Sequence, residues 1–259
     1  MPVDLDREED RPHVAHLRLD FGDLNLLSTD AMAAVGEAVH DLPPDVAVLS
    51  IAADPIAEET GLTAGLDLSE AQTFSAHEGL AMFEVLYAAI EAVRSVDAVT
   101  VCGCGSYTLG AGLELAMACD FRIAPDTASL GLPEVDVGLP TVIHGGLLLR
   151  QVGTTAAKEL VYTGEPVTGE RAARMGLLTE ATAAGEYAPT IEGLIDDLAA
   201  KSPLVLKRQK QVFRMWRSTG LERGMAASMW PGALSFGTHD QREAMAAFFE
   251  DREPSFEGR

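Results

Sequence analysis

The 259-residue chain is 47% hydrophobic with 6% aromatic residues, a balance that belongs to a folded globular protein rather than a disordered or fibrous one. Its 40 acidic against 19 basic side chains leave a formal charge of −21, which excludes general affinity for nucleic acid or anionic membranes. No apolar stretch reaches membrane-spanning length and the start, MPVDLDREED, lacks the basic and apolar regions of a secretory leader, so a cytoplasmic protein is expected.

Residues 13–20, HVAHLRLD, alternate apolar and polar and predict a half-buried strand bearing His13 and His16. Ser28, Thr29 and Asp30 precede AMAAVGEAVH, a capping signature followed by helical periodicity. A second strand is expected over VAVLSI at 46–51, then a loop through Ala64 and Gly65, a helix over about 80–93 and a third strand over AVTVC at 98–102. Small residues from Gly110 to Gly112 open a further helix, and Phe121 to Ala124 read as a strand. Strands separated by helices point to an α/β fold with crossover connections. Beyond about residue 145 the pattern is mostly helical, with segments at 147–149, 156–161, 169–175, 187–200 and 204–216. No linker sets that part off, and it is read as an appended layer, with residues 1–190 as the core and 191–259 as a helical region for oligomerisation.

Several chemistries fail on spacing. Gly103 and Gly105 would need a third glycine at Thr108, and Gly110 and Gly112 one at Leu115, so no dinucleotide fingerprint exists. Ser106 lacks the flanking glycines of a nucleophile elbow, having Cys104 and Thr108 instead. The six histidines show no ligand spacing, so no metal is expected. Cys102, Cys104 and Cys119, an odd number in apolar surroundings, read as buried free thiols. The only lysines are Lys158, Lys201, Lys207 and Lys210, and so acidic a chain is expected to work in concentrated salt, where the Debye length falls to about 3 Å at 1 M.

Four segments, in order and spacing, resemble the enoyl-CoA hydratase/isomerase (crotonase) superfamily: TAGLDLSE at 63–70, GSYTLGAGLELAMACDFRIAPDTASLGLPEVDVGLP at 105–140, YTGEPVTGERAARMGLL at 162–178 and AMAAFFEDREPSF at 244–256. The resemblance implies a crotonase-like α/β fold, a ββα-type spiral core with a helical C-terminal region. It implies an enzyme acting on an acyl-CoA thioester, with coenzyme A as part of the substrate and no separate cofactor. A thioester oxygen gaining enolate charge needs two aimed backbone N–H donors, and the resemblance places them at Ala64 and Ala111. It makes Glu114 the base that activates water and Glu134 the group that moves a proton at Cα. Gly65, Leu66, Asp67, Gly110, Gly112 and Pro133 are matched to substrate binding.

Glu114 lies among Leu113, Leu115, Ala116 and Met117, and an acid in apolar surroundings is costly without a partner or a function. By the same resemblance, the presence of both carboxylates implies an enoyl-CoA hydratase, and with it a place in fatty acid metabolism. Another CoA thioester enzyme (an isomerase, hydrolase or decarboxylase) and a noncatalytic scaffold stand as alternatives.

The chain departs from the family where three glycines become Gly110-Ala111-Gly112, and where a glycine-rich Thr-Gln-Arg segment becomes LPTVIHGGLLLRQVG. His144 in that segment is expected to cap a helix or lie at the surface rather than line the acyl pocket. The family's early Arg-Pro is missing from residues 20–26, leaving Lys207, Arg208 and Lys210 as the candidates for the CoA phosphates. By resemblance the chain forms a homotrimer or a dimer of trimers, with Phe248 and Phe249 available for packing.

Overall fold

A computed structural model describes residues 3–218 and 220–259. The chain opens with β1 (Val3–Arg7), which pairs antiparallel with β2 (Val14–Leu19) through Val3↔Leu19 and Leu5↔Leu17. The acidic start thus forms an edge strand, and the signal for it is the period-two alternation of Val3-Asp4-Leu5-Asp6. Helix α1 (Thr29–His40) follows, with Ser28 Oγ accepting from Ala31 N–H, and leads to β3 (Val48–Ala53). The short α2 (Leu68–Ala71) precedes α3 (Ala76–Ser95), which starts on a capping box between Ser75 and Glu78. Strand β4 (Val99–Gly103) then lies parallel to β3 and, like it, is buried on both faces, as crossover topology requires.

From here the chain runs strand, strand, helix twice and then strand, helix, strand. After β4 come β5 (Tyr107–Leu109) and α4 (Ala111–Ala118); β6 (Phe121–Pro125) and β7 (Ser129–Gly131) are followed by a 3-10 turn at Pro133–Val137. A second 3-10 turn at Ile143–Leu147 runs into α5 (Leu148–Gln151) and α6 (Gly153–Thr163). Next are β8 (Val167–Thr168), α7 (Gly169–Arg174) and β9 (Glu180–Thr182). The large sheet has the order β1-β2-β3-β4-β6-β9 and the small one β5-β7-β8, so each of these units gives one strand to each sheet. The small sheet escapes sequence pattern because its strands are two or three residues long, too short to display a period.

The main core lies between one face of the large sheet and α1, α3 and α4, with Leu17, Leu49, Ile51, Ile90, Leu113 and Leu115 fully enclosed. Each such side chain contributes roughly 1.5–3 kcal/mol by leaving water. Helices α1 and α3 meet closely at Gly36, where a Cβ would stand 3.2 Å from the Ala89 Cα. The other face is covered by α8 (Tyr187–Ala199), whose Tyr187, Ile191 and Ile195 pack on Val14, Val48, Val101 and Ile123. The expected boundary at residue 190 therefore falls inside a helix that belongs to the sheet's second layer. The remaining helices are α9 (Pro203–Ser218), α10 (Leu221–Ala227), α11 (Met229–Ala233) and α12 (His239–Glu250). The three cysteines are buried and free. Among the described residues no helix is long and apolar enough to cross a membrane.

Candidate active site

The site is built where two turns are clamped together. Leu109 N–H donates to Thr63 O at 3.1 Å, and Thr63 bridges Thr108, so the 63–67 loop runs alongside β5 and the start of α4. Gly112 makes the contact possible, because a Cβ there would come within 2.2 Å of Thr63 Cγ2. Gly110 turns the chain into α4 at φ 53° and ψ −127°, a conformation open to glycine and strained for any other residue.

The main-chain amides of residues 64–67 can be accounted for one by one. Ala64 N–H donates to Leu24 O at 2.9 Å, Gly65 N–H to Thr63 Oγ1 at 3.0 Å and Asp67 N–H to Leu27 O at 3.1 Å. Of residues 64–67, only Leu66 N–H makes no hydrogen bond among the described residues. This corrects the expectation for Ala64, whose amide is engaged within the fold; the loop's unengaged donor is two residues later. The missed signal was not in residue type, since any residue has an amide, but in where the acceptors of Leu24 and Leu27 would fall. Ala111 opens α4, where the first amides have no intrahelical acceptor and the helix dipole is positive.

Leu66, Ala111, Glu114 and Glu134 line one small cavity of about 20 Å³, closed by apolar side chains including Phe83, Leu86 and Val142. Glu114, in the first turn of α4, is 3% exposed, and its Oε1 accepts from Gly145 N–H at 2.9 Å. Burial, reinforced by neighbouring Glu134, pushes its pKa up to about 8, against the opposing amides of Gly145 and His144. Pro133 starts the 3-10 turn that carries Glu134, whose Oε2 accepts from Thr141 Oγ1 at 3.0 Å. Burial raises the Glu134 pKa too. A Cβ on Gly110 would lie 3.2 Å from Glu134 Oε1, so this glycine makes room for the carboxylate as well as for the turn.

Gly65, at φ 102°, brings the loop to 3.1 Å between its own Cβ position and Leu109 O. Asp67 is occupied otherwise: its Oδ1 accepts from Ser69 Oγ at 2.6 Å and Ser69 N–H at 2.9 Å, capping α2. His144 is neither a surface residue nor a cap. It is buried, stacked on Tyr87 with ring centroids 5.2 Å apart, and its Nε2 lies 3.2 Å from Glu91 Oε2. Burial holds its pKa down despite Glu91. Its place is beneath the turn that presents Gly145 to Glu114.

The basic candidates for CoA phosphates are otherwise engaged. Lys210 is buried with its Nζ 2.8 Å from Asp120 and 2.6 Å from Ala98 O. Lys207 donates to Pro44 O, and Arg208 to Leu234 O at 2.7 Å.

The family model described as enoyl-CoA hydratase/isomerase matches residues 11–259. Among curated relatives, a crotonyl-CoA hydratase of Syntrophomonas wolfei is 29% identical, with 90% of each chain covered. A probable enoyl-CoA hydratase of Mycobacterium leprae is 32% identical, again over 90% of each. Among solved structures, an enoyl-CoA hydratase of Mycobacterium smegmatis superposes with a TM-score of 0.91 at 26% identity, covering 99% of both chains.

Proposed function

The chain belongs to the enoyl-CoA hydratase/isomerase family, and from that premise we propose that it adds water across the 2,3 double bond of an enoyl-CoA thioester. What supports the reading is the gathering of two carboxyl groups and two unengaged amides, those of Leu66 and Ala111, around one apolar cleft. The thioester oxygen accepts from the two amides, where a lost donor costs about 3 to 4 kcal/mol of barrier. Water held by the two carboxyls bonds through its oxygen to Cβ as the double bond opens. Its proton passes to Glu114, and Glu134 delivers a proton to Cα.

Atoms balance when the pair holds one proton before and after turnover. Burial favours that proton on Glu114, so the reacting arrangement is reached by moving it within the pair. The alternating raised pKa values of adjacent carboxyls serve acid and base work near neutrality.

The acyl-CoA supplies its own coenzyme A, and the mechanism uses no further cofactor. The same reading includes a homotrimer or dimer of trimers. Support comes from apolar side chains left bare on the single chain, with Phe248 and Phe249 each 81% exposed. Light scattering tests the assembly.

Incubation with crotonyl-CoA tests the activity. Loss of the conjugated enoyl absorbance with formation of 3-hydroxybutyryl-CoA is expected; a shifted double bond, or release of free CoA, would replace the hydratase reading with an isomerase or hydrolase.

A further inference from the structure

The segment from Thr141 to Gly145 touches both carboxyl groups of the cleft. Thr141 Oγ1 donates to Glu134 Oε2 at 3.0 Å, and Gly145 N–H donates to Glu114 Oε1 at 2.9 Å. The two contacts are mechanically joined. A Cβ on Gly145 would stand 2.3 Å from Thr141 Cγ2 and 3.1 Å from Glu114 Oε1, so the threonine methyl rests against the glycine that holds the other acid.

Reaching both carboxyls from one short segment strains its backbone. Ile143, between the two contacts, adopts φ 50°, in the left-handed region that a β-branched side chain rarely enters. Such a conformation persists only where the surroundings enforce it, and it gathers at functional sites. Here His144, stacked on Tyr87 and within hydrogen-bond reach of Glu91, ties the segment to α3. Thr141 and Ile143 both fall within residues 139–153, where the sequence departs from the family's glycine-rich pattern.

The threonine contact occupies Glu134 Oε2. The other oxygen, Oε1, lies 3.2 Å from where a Cβ on Gly110 would stand, beside the turn that opens with Ala111. Glu114 is the only other titratable side chain lining the cavity. On α6, which packs against the Pro133–Val137 turn, Lys158, Glu159 and Tyr162 are exposed, as is Asp136 on the turn itself. Burial raises the Glu134 pKa, while its own backbone amide and then the Thr141 hydroxyl pull the other way, because a donor favours the ionised carboxyl.

We infer that Thr141 is a positioning residue for the pair: its hydroxyl fixes Glu134 through Oε2, keeps that carboxyl in register with the Gly145-bound Glu114, and leaves Oε1 to exchange the proton with Cα. The exchange with Cα rests on the hydratase reading; the hold of Thr141 on Glu134 does not.

Two substitutions separate the halves of the side chain. Thr141→Val keeps the shape and removes the hydroxyl, and Thr141→Ser keeps the hydroxyl and removes the methyl. The whole protein, isotope-labelled at the glutamate side-chain carboxyl carbon, is titrated by NMR, with the Glu134 resonance identified by its loss in Glu134→Gln. Glu134 should titrate at higher pH in Thr141→Val than in the parent, and Thr141→Ser should stay with the parent. On crotonyl-CoA, Thr141→Val should lower kcat about tenfold or more with KM within about twofold, and Thr141→Ser should recover most of that loss. An unmoved Glu134 titration in Thr141→Val, parental kcat in that variant, or equal losses of kcat in both variants would overturn the inference. A parent that forms no 3-hydroxybutyryl-CoA would remove the hydratase reading instead, and the titration alone then decides whether Thr141 holds Glu134.

Discussion

The N–H of Gly145 meets Glu114 Oε1 at 2.9 Å, across 31 positions of sequence. A buried carboxyl in the first turn of a short helix is thereby held by a turn whose own foundation is the stacked, Glu91-bonded His144. One oxygen of Glu114 is fixed, and the acid is kept from collapsing into its apolar surroundings.

Replacing either carboxyl removes half of the proposed proton relay. Glu114→Gln and Glu134→Gln should each lower kcat on crotonyl-CoA by about 10²–10⁴-fold, with circular dichroism unchanged. Turnover that survives in both variants would show that these glutamates are not the acid and base.

The pH profile follows from the shared proton. Because the pKa of Glu114 stands at about 8, the pair loses its single proton as pH rises through that value, and kcat/KM should fall above it whichever carboxyl carries the proton. A kcat/KM that climbs steadily through this range would contradict a singly protonated pair.

The same shift sets a stability trend. The folded-state pKa lies above the ordinary 4.5, so folding favours the neutral acid. That stabilisation is complete below about 4.5 and lost as pH rises through about 8. Glu114→Gln keeps an acceptor for Gly145 without the charge. It should match the parent in acid and exceed it by a few kcal/mol at about pH 9, read from denaturant midpoints; an equal gap at both ends would refute the cost of ionisation.

Gly110 offers a test of geometry. Alanine at φ 53° and ψ −127° costs about 1–3 kcal/mol in strain, and its Cβ presses Glu134 Oε1 from 3.2 Å. Gly110→Ala should lower both the melting temperature and kcat, the latter by more than the stability loss explains. Parental kcat in a folded variant would detach Gly110 from the site.

The acidic surface makes a prediction about salt. With a charge of −21, self-repulsion should relax as potassium chloride approaches about 1 M and the Debye length shrinks to ~3 Å. Melting followed by circular dichroism should shift upward across that series. A flat response would remove the salt-adapted reading.

Much of this protein is written in local pattern. Ser28 before an apolar period, the continuous run around Val48 to Ile51 and the Gly110-Ala111-Gly112 opening of α4 declare themselves within a few residues, because capping, periodicity and glycine torsions are short-range effects. Both carboxyls and the turn at Ala111 come out of the sequence through the resemblance carried by residues 105–140. Tertiary structure alone decides which amide is left over. Ala64 and Leu66 are equivalent donors along the chain, but Leu24 O reaches the first and nothing among the described residues reaches the second. It also decides that His144 is buried and that Lys210 is tied to Asp120. A hydrogen-bonding group is available only when no distant segment has come to meet it, and that depends on the packing of the whole chain.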